Sequence, residues 1–218
     1  MKTSHRERKT LLYTEAAKVG IALGSPIRLE LLELLAQRER SVEDIAGEAD
    51  LGIPNASRHL AVLARAHLVR RRRDGNRIFY RTIPGLSPGL LRSLRDTAIG
   101  TNPVLATVLG ADFLVAGDAD AAMRTAVARG RAGHAVLVDV RPRAEFETAH
   151  LPGAVSVPLQ HIVSRGSRPR LPRDRELLVY CRGAFCAWAD EAATVLRRRG
   201  FNANVLPLGP SEIANIGA

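Results

Sequence analysis

The sequence predicts two domains of different class: a mainly-α domain that includes a β-hairpin over residues 1–115, and an α/β domain with a mostly parallel sheet over residues 116–218. Three observations carry this. Up to Thr82, apolar residues recur at helical spacing and then give way to two short β-prone runs; beyond Ala119, short strands alternate with helices; and Ala116-Gly117-Asp118, small and turn-forming, separates the two patterns. At 218 residues and 46% hydrophobic content, the chain is long enough for two compact cores, since domains commonly run to about 100–150 residues.

In the first half, Ser25-Pro26 reads as an N-cap with proline at the first helical position, followed by a core stripe of Leu29, Leu31, Leu32, Leu34 and Leu35. Ser41-Val42-Glu43-Asp44 has the form of a capping box and opens a short helix through Ile45 and Ala46. Leu51-Gly52-Ile53-Pro54 supplies a turn. Asn55 to Ala66 then forms a second helix, with Leu60, Val62, Leu63 and Ala66 inward and Asn55, Ser57, Arg58 and His59 available. Two short helices joined in this way make a helix-turn-helix. Leu68 to Arg73 and Arg77 to Thr82 are strands joined through Asp74-Gly75-Asn76, where Gly and Asn tolerate the positive φ of a tight hairpin. A basic hairpin placed there is a wing. Helical spacing returns at Leu90, Leu91, Leu94 and Ala98 and again at Val104, Leu105, Val108 and Leu109, with Gly100 and Pro103 interrupting.

The second half opens with a helix from Ala119 to Arg129. Strands at 135–139, 154–157, 177–180 and 204–206 alternate with helical stretches at 143–148 and 187–199, which implies a parallel sheet covered on both faces. Arg165 to Arg175 reads as a long polar loop.

Charge is unevenly placed. Residues 1–100 hold 18 Lys+Arg against 11 Asp+Glu, and residues 101–218 hold 14 against 11, within a total of +10. A basic surface gains affinity for nucleic acid by releasing condensed counterions, so the partner surface is expected in the first half. Only three of the 32 basic residues are Lys, and so Arg-heavy a composition also fits a bias in genome base content. No apolar run approaches the roughly 20 residues needed to span a bilayer, and Met1 to Lys9 lacks the apolar core of a signal peptide. A cytoplasmic protein with no membrane partner is expected.

The runs Leu23-Gly-Ser-Pro-Ile-Arg-Leu-Glu-Leu-Leu32, Ser41-Val-Glu-Asp-Ile-Ala46 and Ala56-Ser-Arg-His-Leu-Ala-Val-Leu-Ala-Arg-Ala-His-Leu-Val69 resemble the ArsR/SmtB family of winged-helix repressors. The resemblance covers about residues 11–100. It implies a homodimer that binds double-stranded operator DNA, with two recognition helices about one DNA turn apart, joined chiefly by Tyr13 to Ile21 and Leu90 to Leu109. Asn55, Ser57, Arg58 and His59 are the expected base-reading group, with His59 also readable as a capping or packing residue. Arg70, Arg71, Arg72, Arg73 and Arg77, together with Arg81, are the expected phosphate or minor-groove group. Metal-sensing members use Cys, His or carboxylate clusters, but residues 1–180 contain no cysteine, and Leu90 to Ile99 holds one acidic residue, Asp96, and no His. Neither a metal nor another cofactor is expected.

The only cysteines, Cys181 and Cys186, share one short segment and cannot staple distant parts of the fold, so chemistry is the better reading. Asp139-Val-Arg-Pro-Arg-Ala-Glu-Phe-Glu-Thr-Ala-His-Leu-Pro-Gly-Ala-Val-Ser-Val-Pro158 and Val179-Tyr-Cys-Arg-Gly-Ala-Phe-Cys186 are similar to the signature and the active-site loop of the rhodanese superfamily, over about residues 118–218. The resemblance implies that Cys181 is the nucleophile toward a sulfane-sulfur donor such as thiosulfate or a persulfide. Gly183, Ala184 and Phe185 form the loop. A position after a buried strand and before a helix favours thiolate, and Arg182 is expected to add positive charge for an anionic donor. Related phosphatases carry arginine six positions after the nucleophile; here that residue is Ala187, which argues for sulfur chemistry. Cys186 fits a resolving cysteine, able to close a disulfide or polysulfide with Cys181, and also fits a small residue at a helix start. Asp139, Arg141 and Glu145 are expected to knit the loop framework. Ile213 stands where the superfamily usually places Trp.

These readings point to a DNA-binding repressor regulated by reactive sulfur or redox chemistry. The competing readings are a sulfurtransferase with an accessory DNA-binding domain and a C-terminal domain that merely stiffens the dimer.

Overall fold

The computed structural model describes residues 4–83, 86, 88–109, 119–166 and 169–213. The chain forms two compact units, residues 1–87 and 88–218. Ala116-Gly117-Asp118, where the sequence pattern changes, lies outside the described residues. The division falls earlier because the helix Pro88–Thr101 packs on the C-terminal segment 210–212.

The first unit contains α1 (His5–Leu23), α2 (Pro26–Gln37), β1 (Arg40–Ser41), α3 (Val42–Glu48), α4 (Ile53–Arg65), β2 (Val69–Asp74) and β3 (Arg77–Thr82). Its antiparallel sheet has the order β1-β3-β2. The leucine stripe of α2 supplies Leu31, Leu32, Leu34 and Leu35 to the core, to which α3 adds Ile45 and α4 adds Leu60 and Leu63. Ser41 caps α3 as its spacing predicts, its Oγ accepting from the Asp44 amide at 3.1 Å. Helix α4 starts at Ile53, before the expected Asn55, because Pro54 falls in the first turn, where a missing N–H leaves no bond unmade. Ala56, Leu60 and Leu63 then share the buried face, and Ser57 and Arg58 face solvent. Strand β1 has no signal in the sequence; it is two residues long and exists by pairing Arg40 with Tyr80 and Ser41 with Phe79.

The second unit contains α5 (Pro88–Thr101), α6 (Pro103–Leu109), α7 (Ala119–Arg131), β4 (Ala135–Asp139), α8 (Arg143–Thr148), β5 (Val155–Ser156), α9 (Leu159–Val163), β6 (Glu176–Tyr180), α10 (Trp188–Arg198), β7 (Ala203–Val205) and a 3₁₀ turn, Pro210–Glu212. Gly100 does not interrupt α5, which ends at Thr101 ahead of Pro103. The four strands are parallel in the order β5-β4-β6-β7. Alternation along β4 and β6 divides the core in two. Leu137, Leu178 and Tyr180 pack with Met123, Ala126 and Val127 of α7, whereas Val138, Leu177 and Val179 pack with Ile162 of α9 and Ala189, Ala192, Ala193 and Leu196 of α10. Burial on both faces is why these strands read as continuous apolar runs. Helix α9 is too short to show a periodicity. Ile213, in place of the usual Trp, still packs at the edge of the α7 layer. Of the expected polar loop, residues 167 and 168 lie outside the described residues.

Candidate functional site

In the wing, cross-strand partners share a face, which places Arg70 with Arg81, Arg72 with Phe79 and Asp74 with Arg77 on one side. The Arg72 and Arg77 guanidinium groups lie 4.8 Å and 5.4 Å from the centre of the Phe79 ring, close enough for cation–π attraction. Arg72 also donates to Glu39 at 2.8 Å and to Asp74 at 2.9 Å. The hydrogen bond from Arg72 holds the Glu39 carboxyl below the usual carboxylate range, and the same partners push the Arg72 pKa up. Arg77 donates to Ser41 Oγ at 2.7 Å and to Asp44 at 3.2 Å, tying the wing to the start of α3.

The sequence places Arg70, Arg71, Arg72, Arg73, Arg77 and Arg81 in one group, at least some of which are expected to meet phosphates or the minor groove. The structure divides them: Arg72 and Arg77 are engaged by acids of their own unit, and Arg73 Nε donates to the Gly75 carbonyl at 3.0 Å. Arg70 and Arg71 are exposed, and with Arg72, Arg81 and Glu39 they line a cleft of about 330 Å³. On α4, Ser57 and Arg58 are exposed and Asn55 is half-buried. His59 is half-buried too, with Nδ1 buried and lacking a partner among the described residues.

The second cluster forms where β6 ends. Cys181 follows Tyr180 directly and is buried, while Cys186 is half-buried. A disulfide joins them, with their Cα atoms 6.4 Å apart, and closes Arg182-Gly183-Ala184-Phe185 into a ring. The Cys186 amide donates to the Gly183 carbonyl at 3.0 Å inside that ring, and Phe185 projects from it, about half exposed. Helix α10 starts only at Trp188. Cys186 thus adjoins the helix N-terminus in the chain, and the disulfide holds the Cys181 sulfur beside it.

Arg182 differs most from expectation. Its guanidinium donates to the buried Glu145 carboxylate at 2.7 Å and 3.2 Å and stacks 4.4 Å from the Trp188 ring centre. The charge expected to receive an anionic donor is thus met by an internal carboxylate, which makes Arg182 a positioning residue of the loop. Asp139 and Arg141 knit the framework as expected. Arg141 meets Asp139 through two parallel hydrogen bonds, at 2.6 Å and 3.0 Å, and reaches the Ala149 carbonyl at 2.7 Å. The Tyr180 hydroxyl accepts from the Leu151 amide at 3.2 Å, and burial, with the nearby Asp139 charge, raises its pKa.

One ion pair of this unit has no signal in the sequence. Arg95 of α5 pairs with Glu212 of the 3₁₀ turn, 117 positions away; Arg95 is buried and Glu212 is largely covered. Burial raises the Glu212 pKa against the opposing effect of Arg95.

A family model described as bacterial regulatory protein, arsR family, matches residues 25–71, and one described as rhodanese-like domain matches residues 123–214. The HTH-type transcriptional regulator Rv0324 of Mycobacterium tuberculosis is 38% identical over 195 residues, 89% of this chain and 84% of that protein. The HTH-type transcriptional regulator KmtR of the same organism is 48% identical over 59 residues, 27% of this chain and 45% of its own length. Among solved structures, the homodimeric winged helix-turn-helix DNA-binding domain Mb0332 of Mycobacterium bovis is 35% identical and covers 47% of this chain and 93% of that one, with a TM-score of 0.42.

Proposed function

The chain belongs to the ArsR family of HTH-type transcriptional regulators and carries a C-terminal rhodanese-like domain, and from that premise we propose that it is a homodimeric repressor released from its operator by sulfane sulfur acting on Cys181 and Cys186. The observation that carries this reading is the bridge between the chain's only two cysteines, inside a loop at the end of a parallel strand.

The chemistry balances as a two-step exchange with a persulfide donor. The Cys181 thiolate attacks the outer sulfur of R–S–S–H, the donor S–S bond breaks, and R–S⁻ leaves with Cys181 persulfidated. The Cys186 thiolate then attacks the Cys181 sulfur, and hydrosulfide leaves as the disulfide forms. The protein loses two electrons to the donor sulfur. The N-terminus of α10 lies next in the chain after Cys186, a placement that supports attack by a cysteine in this loop.

On the DNA side, Ser57 and Arg58 are the exposed base-reading candidates and Arg70, Arg71 and Arg81 the phosphate candidates, with Arg72 and Arg77 holding the wing in shape. Leu11, Leu12, Tyr13 and Ile21 of α1, and Leu94, Val104 and Val108 of α5 and α6, are exposed apolar residues that a second copy would cover. No described helix is long and apolar enough to cross a membrane. Action in the cytoplasm, where operator DNA lies, is part of the proposal.

The test is operator binding by gel shift with reduced, persulfidated and disulfide protein, alongside intact mass. Reduced Cys181→Ser is expected to bind normally and ignore the donor, while Cys186→Ser stops at a Cys181 persulfide with a partial response. A Cys181→Ser protein that still leaves DNA on persulfide treatment overturns the proposal. Thousands of turnovers with thiosulfate and an acceptor, without loss of DNA binding, would identify a sulfurtransferase instead.

A further inference from the structure

We propose that Glu212 and Arg95 form the link by which the cysteine loop sets the position of helix α5, the helix that follows the wing in the chain. The inference rests on the reading of Cys181 and Cys186 as the switch and adds the route by which their state leaves the loop.

Glu212 touches both sides of that link. On the loop side, a Cβ on Gly183 would fall 2.7 Å from the Glu212 carboxyl carbon and 2.9 Å from its Oε1, so the carboxylate lies directly against the loop backbone. Gly183 is inside the disulfide ring and carries the carbonyl that accepts from the Cys186 amide. Its backbone also bridges to Leu208 in antiparallel fashion. The Glu212 carboxylate accepts from the Gly209 amide at 3.0 Å, and a Cβ on Gly209 would fall 2.7 Å from the Cys181 carbonyl oxygen. At Gly209 the obstruction is loop backbone, which leaves no room for a side chain, and at Gly183 it is the Glu212 carboxylate itself. Residues 208–212 therefore form a fitted back wall to residues 181–183.

On the helix side, the same carboxylate receives the Arg95 guanidinium, and Arg95 is only 7% exposed. Separating this pair would leave a charge buried and unmatched, which is among the more costly events inside a protein. A loop that changes shape on opening of the disulfide must therefore carry Glu212 and Arg95 with it or expel Arg95. The second course has a receptor in place: Asp96, half exposed, already accepts from Arg95 Nη2 at 3.2 Å and Nε at 3.3 Å. Arg92, one turn back, lies 3.4 Å from Asp96 and 2.7 Å from Asp120 of α7. Arg95 thus stands between an inner acid that follows the loop and an outer acid that belongs to α5, the arrangement a two-position element requires.

The experiment uses the full chain and the variant Arg95→Met/Glu212→Met, which exchanges the buried pair for apolar side chains of similar length and so preserves packing. Glu212→Gln serves as the milder companion. Hydrogen exchange across residues 88–101, reduced against disulfide, is the direct readout, with intact mass confirming the bridge and operator titration as the second readout. In the unaltered chain, protection of α5 is expected to differ between the two states; in the double variant that difference disappears although the bridge still forms. The ratio of operator affinities, of order tenfold in the unaltered chain, is expected to fall toward one. Unchanged protection of α5 on reduction of the unaltered chain, or a difference that persists in the double variant, overturns the link. If α5 protection follows the disulfide through Glu212 but operator affinity does not follow it in the unaltered chain, the link stands and the regulatory reading fails.

Discussion

In the wing, Arg72 and Arg77 lie half exposed over Phe79 and share the surface acids Glu39, Asp74 and Asp44. Around the cysteine loop, Arg141 and Arg182 are buried, and each is matched to one buried carboxylate, Asp139 and Glu145. The residue type is the same and the solvent is different. An exposed pair adds little net stability and exchanges partners readily among neighbouring acids, so Arg72 and Arg77 hold the wing through several shared contacts without depending on any one of them. A buried pair has no such alternative, since either group left alone would hold a charge away from water. Arginine is therefore an exchangeable partner in the wing and a fixed part of the frame in the loop.

The largest expected effect tests the fixed half of this comparison. Glu145→Ala strands Arg182 under the loop and is expected to destabilise the C-terminal unit by about 3–5 kcal/mol. Trp188, the only tryptophan, stacks on Arg182 and reports the transition by fluorescence in urea. A loss below about 1 kcal/mol, the range of an exposed pair, would break the distinction.

Next in size is the wing. Replacing Arg70, Arg71 and Arg81 by Ala is expected to weaken binding to all DNA sequences alike and to lower the salt slope by about 0.9 for each phosphate that is no longer neutralised. Replacing Arg72 and Arg77 is expected to change the slope less, because their charge is already met within the unit. Equal slopes for the two variants would erase the division between arginines that meet DNA and arginines that shape the wing. Arg58→Ala tests the neighbouring helix and is expected to cost about 1–3 kcal/mol of discrimination at the base pair it reads while leaving the salt slope nearly unchanged. Competition titration with single-base operator variants measures it.

The same contrast explains what was legible in the sequence. Both folds were, because their signals are local: the Ser25-Pro26 start of α2, the Ser41 cap, the alternation of the wing and the apolar runs of β4 and β6 each occupy one short window. Cys181 and Cys186 were legible as a pair for the same reason. The partners of the charged residues were not. Arg182 reads as a free cation until Glu145, 37 positions earlier, is brought beneath it, and no spacing around Arg95 points to Glu212. Pairing across that distance is a property of the packed sheet and its last turn, and no spacing within a window encodes it. Helix α9 and strand β1 escaped for the opposite reason, being too short to repeat any period.

The smallest expected effect lies at Glu39, where the comparison can be sharpened. Arg72 holds the folded Glu39 carboxyl below its ordinary pKa, whereas the unfolded chain titrates near about 4.3. A depressed carboxylate contributes stability that is present above the unfolded pKa and is lost as pH falls through the folded pKa. The unaltered first unit should therefore lose slightly more stability than Glu39→Gln as the pH is taken from neutral to below the usual carboxylate range. Because the pair is exposed, raising the salt to about 1 M, where screening acts within about 3 Å, should remove the difference; a gap that survives salt would mean the pair behaves like the buried ones. DNA supplies the converse measurement. Glu39→Gln removes one of the two acids that engage Arg72 and leaves Asp74 in place, so affinity for nonspecific DNA is expected to rise modestly and the salt slope to steepen by less than about 0.9, which titration at several salt concentrations resolves. A weaker, shallower response would show instead that Glu39 is needed to aim Arg72, and that the wing, like the cysteine loop, depends on fixed internal pairing.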